Sequence, residues 1–195
     1  MSPDMAPWVA ARATGLVAYA LLAGAMLAGL AVKSRSTAPM KGGEAVDLHR
    51  HLSLLALCAT AAHGVLLVLD DEIDISPLAL AVPGLVPYRP LWTGLGVATA
   101  WLMLAVHVSF RLRKRMGPKN WRRLHYATYA AFAGATLHGL LSGTDSGSGW
   151  ALALYGGASV AVFTMTGWRI AGSARPAGPM RPPRPAQAGS SRSRR

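Results

Sequence analysis

Five long apolar segments dominate the chain and leave it few alternative folds. They are residues 8–31, 47–69, 91–110, 121–141 and 150–170. A helix of about 20 apolar residues crosses the hydrocarbon core of a bilayer, and it satisfies its own backbone hydrogen bonds there. We therefore predict an all-α, polytopic membrane helix bundle of about five transmembrane helices, which occupies residues 1–170 as one domain.

Charged residues are confined to the short segments between the apolar ones, and their sign alternates along the chain. Residues 111–123 hold seven basic residues and no acidic one, whereas residues 70–90 hold four acidic residues and one arginine. Because cytoplasmic loops carry an excess of Lys and Arg, we predict an outside N-terminus, a cytoplasmic C-terminus and a multi-pass protein of the inner (plasma) membrane. This pattern makes the lipid bilayer the expected partner and argues against nucleic acid, despite a formal charge of +12.

Residues 171–195 are rich in Pro, Arg and Ser, which predicts a disordered basic cytoplasmic tail. Its arginines suit an anionic lipid leaflet or an acidic protein, and equally a tail that only sets topology. Cys58 is the only cysteine, so an intramolecular disulfide, a covalently attached haem and a multi-thiolate metal site are excluded. We interpret Cys58 as a small core residue.

Local signals predict where several helices end. Asp47 is a good N-cap for the second helix, and Pro90 suits the first turn of the third. Gly117 and the proline after it should separate the third helix from the fourth. Four prolines between residues 70 and 90 exclude a continuous helix, so we expect this segment to fold back over the outer end of the bundle. Small residues of the first helix would admit a neighbouring helix or a flat cofactor.

Four histidines lie at matched depths on two predicted helices. His49 and His63 are 14 residues apart, so about 1400° of helical rotation leaves them on one face, about 21 Å apart along the axis. His125 and His138 are 13 residues apart, about 20 Å, but a straight helix would hold their rings roughly 140° apart. Either Gly134 marks a local distortion, or the two sites approach this helix from different sides. Both helices run in the same direction, so the histidines form an inner and an outer pair.

Two neutral imidazoles that face each other across a bundle are a standard axial arrangement for haem iron. Two such pairs predict two stacked haems, and the lack of covalent attachment makes each a haem b. The alternative for any one histidine is a buried polar group bonded to a backbone carbonyl. His51 is predicted to face away from the site. His107 is predicted to be a core histidine, and the alternative is that it serves as a substitute ligand of the inner haem.

Haem propionates are carboxylates and need charge-assisted donors. Arg50, Arg122 and Arg123 flank the inner pair, and Arg12 lies near the depth of the outer pair. Arg12 could instead snorkel to water or pair with another anionic group, and the inner arginines could serve topology and lipid phosphate.

The stretches LHRHLSLLAL, PYRPLW, WRRLHYATYAAF and HGLLSGTD resemble the ferric reductase-like transmembrane domain family. The resemblance spans roughly residues 8–170, and within the family it is to short actinobacterial-type, MsrQ/YedZ-like haem b membrane subunits. It implies that His49 pairs with His125 and His63 with His138 as axial ligands, and that the protein transfers electrons across the membrane. Because the family usually has six helices, an N-terminal helix is expected to be missing.

These observations predict a di-haem b electron-transfer subunit of the oxidoreductase class, which passes electrons between a cytoplasmic or quinol-side donor and an extracytoplasmic acceptor. No GxGxxG motif follows a strand, so we expect a separate flavoprotein or quinol donor. A competing hypothesis is a membrane transporter whose histidines bind a transition metal or relay protons. Intramembrane carboxylates would favour transport, and none lies well inside a predicted span. A haem-free membrane scaffold is the third hypothesis.

Overall fold

The computed structural model describes residues 6–32, 42–70 and 75–173, and within them the secondary structure is entirely helical. The all-α prediction is therefore confirmed. Predictions for the loop at 33–41, for residues 71–74 and for the tail from 174 onward lie outside the described residues. The helices are α1 (Ala6–Ala31), α2 (Gly42–Val68), α3 (Pro77–Ala81), α4 (Pro90–His125), α5 (Ala127–Ser142) and α6 (Gly149–Ser173).

Within the described ranges, four helical stretches are long and apolar enough to cross a membrane, which confirms the polytopic helix bundle. The prediction was about five, and the difference lies in the third stretch, which contains two of the predicted helices. The four stretches are Ala6–Ala31, Gly43–Val68, Pro90–Ser142 and Gly149–Gly172.

The stretch Pro90–Ser142 is a helical hairpin rather than one straight helix. Gly117 has φ 77° and ψ 157°, a conformation that interrupts the helix and that glycine adopts without strain. Beyond this kink the chain runs back on itself, so Gly96 faces His138 and Thr99 faces Gly134. The two arms are residues 90–116 and 118–142, the predicted third and fourth helices.

Helix α1 lies at the centre of the bundle and is the most buried of the long helices. It contacts α2, α5 and α6 and runs antiparallel to α2. Its Tyr19 ring packs 5.8 Å from the Phe132 ring and 4.5 Å from the Tyr155 ring, and its hydroxyl shares a 3.1 Å hydrogen bond with Thr136. Aromatic packing of this kind, with its polar group satisfied, fixes α1 between α5 and α6.

Residues 75–89, between α2 and α4, pack against the bundle as a cap. Of these, Ile75, Ala79 and Val86 are buried and contact the last turn of α2. The Trp101 indole of α4 donates a 2.9 Å hydrogen bond to the Ala81 carbonyl at the end of α3. As predicted from the prolines, the described residues 75–89 do not form a continuous helix, and α3 is short.

Two local predictions were wrong. Helix α2 begins at Gly42, so Asp47 lies inside the helix and is not its N-cap; its carboxylate lies 3.8 Å from Arg50. Cys58 is exposed. The fully buried Ala56 marks the face that α2 turns to its neighbours, and Cys58 lies about 200° round the helix from it.

Candidate functional site

Two pairs of histidine rings meet between α2 and the second arm of the hairpin. The ring centroids are 6.1 Å apart for His49 and His125, with planes at 81°. They are 6.4 Å apart for His63 and His138, with planes at 69°. The four predicted histidines therefore lie in the two predicted pairs, one nearer each end of the bundle.

A break in the second arm turns both of its histidines toward α2. Helix α4 ends at His125, and the Tyr129 amide donates a 3.1 Å hydrogen bond to the Tyr126 carbonyl three residues back. This 3₁₀-type turn advances about 120° per residue instead of about 100°, which narrows the 140° offset expected of a straight helix. A local distortion is therefore present, as the first of the two explanations requires, but it lies at Tyr126. Gly134 lies inside the uninterrupted α5.

Three of the four rings are held by a backbone carbonyl of an adjacent helix. Because a carbonyl oxygen only accepts, Nδ1 of each ring must carry the proton, and Nε2 keeps its lone pair. Metal-ligating histidines have this arrangement, in which the second ring nitrogen donates to a carbonyl or carboxylate. The bonds run from His49 to Ala25 (2.8 Å), from His63 to Ala11 (2.7 Å) and from His138 to Trp92 (2.9 Å).

A glycine lies against each of these three rings, four residues after the accepting carbonyl. A Cβ there would meet the ring at 3.1, 3.1 and 2.6 Å, so the missing side chain is what lets the imidazole reach the carbonyl. From the sequence, the small residues of α1 were interpreted as sites of helix packing or of contact with a flat cofactor. The role of the glycine of α4 was missed. The glycines are Gly29 beside His49, Gly15 beside His63 and Gly96 beside His138.

The ring separations fit a metal ion between two imidazoles. A bound nitrogen lies about 2.0 Å from the metal and about 1.1 Å from its ring centre, so two opposite ligands have centroids about 6.2 Å apart. A direct hydrogen bond of about 2.9 Å between the rings would bring the centroids to about 5.1 Å. The observed 6.1 and 6.4 Å agree with the first arrangement. Across residues 6–32, 42–70 and 75–173, no group of three or more His, Cys, Asp or Glu side chains converges.

A cavity of about 730 Å³ lies beside the second pair, and the rings of His63 and His138 form part of its wall. Its size is within the range of cofactor sites, and its lining is mainly apolar. Arg12 also lines the cavity, where it forms an ion pair with Asp145 of the α5–α6 turn and lies 4.1 Å from the centre of the Trp8 ring. Its buried Nε has no hydrogen-bond partner among the described residues. Arg12 therefore pairs with an anionic group of the α5–α6 turn, and its Nε remains available as a donor to a second one.

The other predicted arginines lie at the end of the bundle that holds the first pair. Arg50, Arg122 and Arg123 are all exposed, unlike Arg12 in the cavity wall. Sequence reasoning missed a residue that contacts one of the paired rings: the Trp121 ring stacks on His125, with centroids 5.1 Å apart and planes at 19°. The spacing of four residues on one helix face was the available signal.

Neither ring pair includes the remaining histidines. His51 is exposed, and its Nδ1 donates to the Asp47 carbonyl one turn earlier. His107 is half-buried on the first arm of the hairpin.

Comparison with known proteins supports a redox role. The family described as "Ferric reductase like transmembrane component" matches residues 14–136, more than half of the chain. The match includes three of the paired histidines and ends two residues before His138. Searches of curated proteins and of solved structures gave no significant match. The matched family supports a role in membrane electron transfer in general. On this match, the chain belongs to the ferric reductase-like transmembrane component family.

Proposed function

We propose that this chain is a di-haem b electron-transfer protein, with His49 and His125 as one axial pair and His63 and His138 as the other. The observation that carries the proposal is the separation of 6.1 and 6.4 Å between facing rings. A direct hydrogen bond between the rings would give a shorter separation, whereas haem iron held between the rings would account for the one observed. A haem also needs only two ligands from the protein, because its macrocycle supplies the other four.

When bound, haem supplies the one-electron chemistry, and the chain supplies position and environment. The carbonyl bonds to His49, His63 and His138 orient these rings and keep Nε2 available. The mainly apolar cavity wall beside the second pair supplies an environment of low polarity. The 14-residue spacing of the histidines on α2 places the two sites about 21 Å apart along the helix axis.

The proposal includes the haem propionates, for which arginine side chains are the candidate partners. Arg12 lies in the cavity wall with its Nε unpaired, so a carboxylate there would gain a charge-assisted bond. Arg50, Arg122 and Arg123 are the candidate donors for the haem of the first pair, on their position at that end of the bundle alone. We further propose an MsrQ/YedZ-like subunit of the plasma membrane, with a flavoprotein or quinol as the donor and an acceptor on the opposite side.

The test is haem content in the purified full-length chain, measured by pyridine haemochrome assay and by the dithionite-reduced spectrum. We expect two haems per chain in the wild type and about one after His63→Ala or His138→Ala. His51→Ala is the matched control, since this exposed histidine lies outside both pairs, and it should retain two. A wild type without haem would contradict the proposal, and histidine-dependent binding of a transition-metal ion would then favour the transporter.

A further inference from the structure

His125 is held differently from the other three paired histidines. In the other three cases a glycine of the facing helix admits the ring, and a carbonyl four residues earlier accepts from Nδ1. Among the described residues, no hydrogen bond to the His125 ring is formed. Its closest ring partner is Trp121, one turn earlier on the same helix, with centroids 5.1 Å apart.

The facing helix lacks the glycine that would admit this ring. In the hairpin, Gly96 faces His138 and Thr99 faces Gly134, and this register brings residues 106–109 opposite His125. That stretch reads VHVS and contains no glycine. Its Ser109 is only 2% exposed, and its hydroxyl bonds the Val106 carbonyl of its own helix at 2.6 Å. Where the other three rings face a glycine, this stretch therefore carries side chains.

Trp121 is itself fixed from another direction. The Phe110 ring packs against its ring at 6.4 Å and 65°, and the Arg113 guanidinium lies 4.7 Å from the centre of the Phe110 ring. A flat side chain packed in this way is a rigid surface for the imidazole, with the ring planes only 19° apart. Stacking on Trp121 fixes the plane of the His125 ring. For the other three histidine rings, the hydrogen bond from Nδ1 to a carbonyl has this role.

We propose that Trp121 is the positioning residue for His125 and takes the role that a glycine and a carbonyl have at the other three ligands. The inference rests on the proposed function, because the orientation it sets is that of an axial ligand. It makes the two sites unequal. At the first pair, one ring is fixed by a carbonyl and the other by a stack, whereas at the second pair carbonyls fix both rings.

The test compares Trp121→Leu, which removes the flat surface, with Trp121→Phe, which keeps one. Trp168→Leu is the matched control, because Trp168 is on α6 and 62% exposed. The readouts are haem per chain and the low-temperature electron paramagnetic resonance spectrum of the oxidised protein. The signal of the first pair is identified by its loss in His49→Ala.

In Trp121→Leu we expect the signal of the first pair to shift or broaden and its haem to be retained about tenfold more weakly, with the other signal unchanged. Trp121→Phe should retain most of the wild-type signal, and Trp168→Leu all of it. Unchanged signals in Trp121→Leu, or equal loss of both haems with no rescue by Phe, would overturn the inference. A wild type without haem would instead refute the proposed function, so the two failures are distinguishable.

Discussion

The substitution Gly96→Ala tests the site most directly, because the space at Gly96 is the tightest of the three glycine contacts. The new Cβ would lie 2.6 Å from Cε1 and Nδ1 of His138, whereas ordinary contact begins at 3.4 Å. The ring must therefore retreat by about 0.8 Å, the difference of these distances. Such a shift strains the 2.9 Å bond from Nδ1 to the Trp92 carbonyl and displaces Nε2 from its present position relative to the His63 ring.

The expected cost follows from the role of that bond. Loss of the hydrogen-bonded partner of a metal-ligating histidine typically weakens metal affinity about 10- to 100-fold. This corresponds to about 1.4 to 2.7 kcal/mol. Alanine is a better helix former than glycine by about 1 kcal/mol, so a loss of haem cannot be attributed to a weakened α4.

The assay is a haem titration of the detergent-solubilised protein, with helix content checked by circular dichroism. Gly15→Ala, with its Cβ 3.1 Å from the His63 ring, should give a smaller loss at the same site. Gly24→Ala meets only a Leu52 methyl at 3.4 Å, and Gly156→Ala meets nothing within 4 Å, so both should bind haem like the wild type. If Gly96→Ala also binds haem like Gly156→Ala, the glycine contact does not position the ligand.

Two further predictions concern the ring planes and the ion pair. The planes of the paired rings are 81° and 69° apart, and near-perpendicular axial ligands leave the iron d orbitals that overlap with them almost degenerate. We therefore expect highly anisotropic low-spin signals from both haems in electron paramagnetic resonance; signals typical of parallel ligand planes would contradict the geometry. Arg12→Gln and Asp145→Asn should each lower the stability of the folded bundle by about 1 kcal/mol in thermal unfolding, since the pair is partly exposed. Only Arg12→Gln should also weaken haem retention at the second pair, and an equal effect of Asp145→Asn would show that the ion pair, not a free donor, matters there.

The fold was predictable where it depends on local pattern. Apolar length predicted the membrane helices, and the glycine and proline at 117 and 118 predicted the hairpin. The start of α2 was missed because its first turn, from Gly42, precedes the apolar pattern and carries Glu44 near its positive end. The exposure of Cys58 was missed because an apolar helix in lipid does not show from composition which face it buries.

The site was predictable to the extent that it follows from spacing along one helix. Intervals of 14 and 13 residues gave the depths of the four histidines. The partners of the rings depend on the register between helices, which a single sequence does not reveal. The contact of Gly96 with His138 requires the alignment of the hairpin arms. The ion pair of Arg12 with Asp145 requires that the start of α1 and the α5–α6 turn meet at one end.

The equal spacing on α1 and α2 has a consequence for how the protein tolerates change. Gly15 and Gly29 are separated by the same 14 positions as the two imidazoles that they admit. Inserting or deleting one residue between Gly15 and Gly29, or between His49 and His63, would rotate the rest of that helix by about 100° and displace it by about 1.5 Å. The helices could then remain aligned at one end only. The equal spacing on the two helices thus sets the distance between the two histidine pairs.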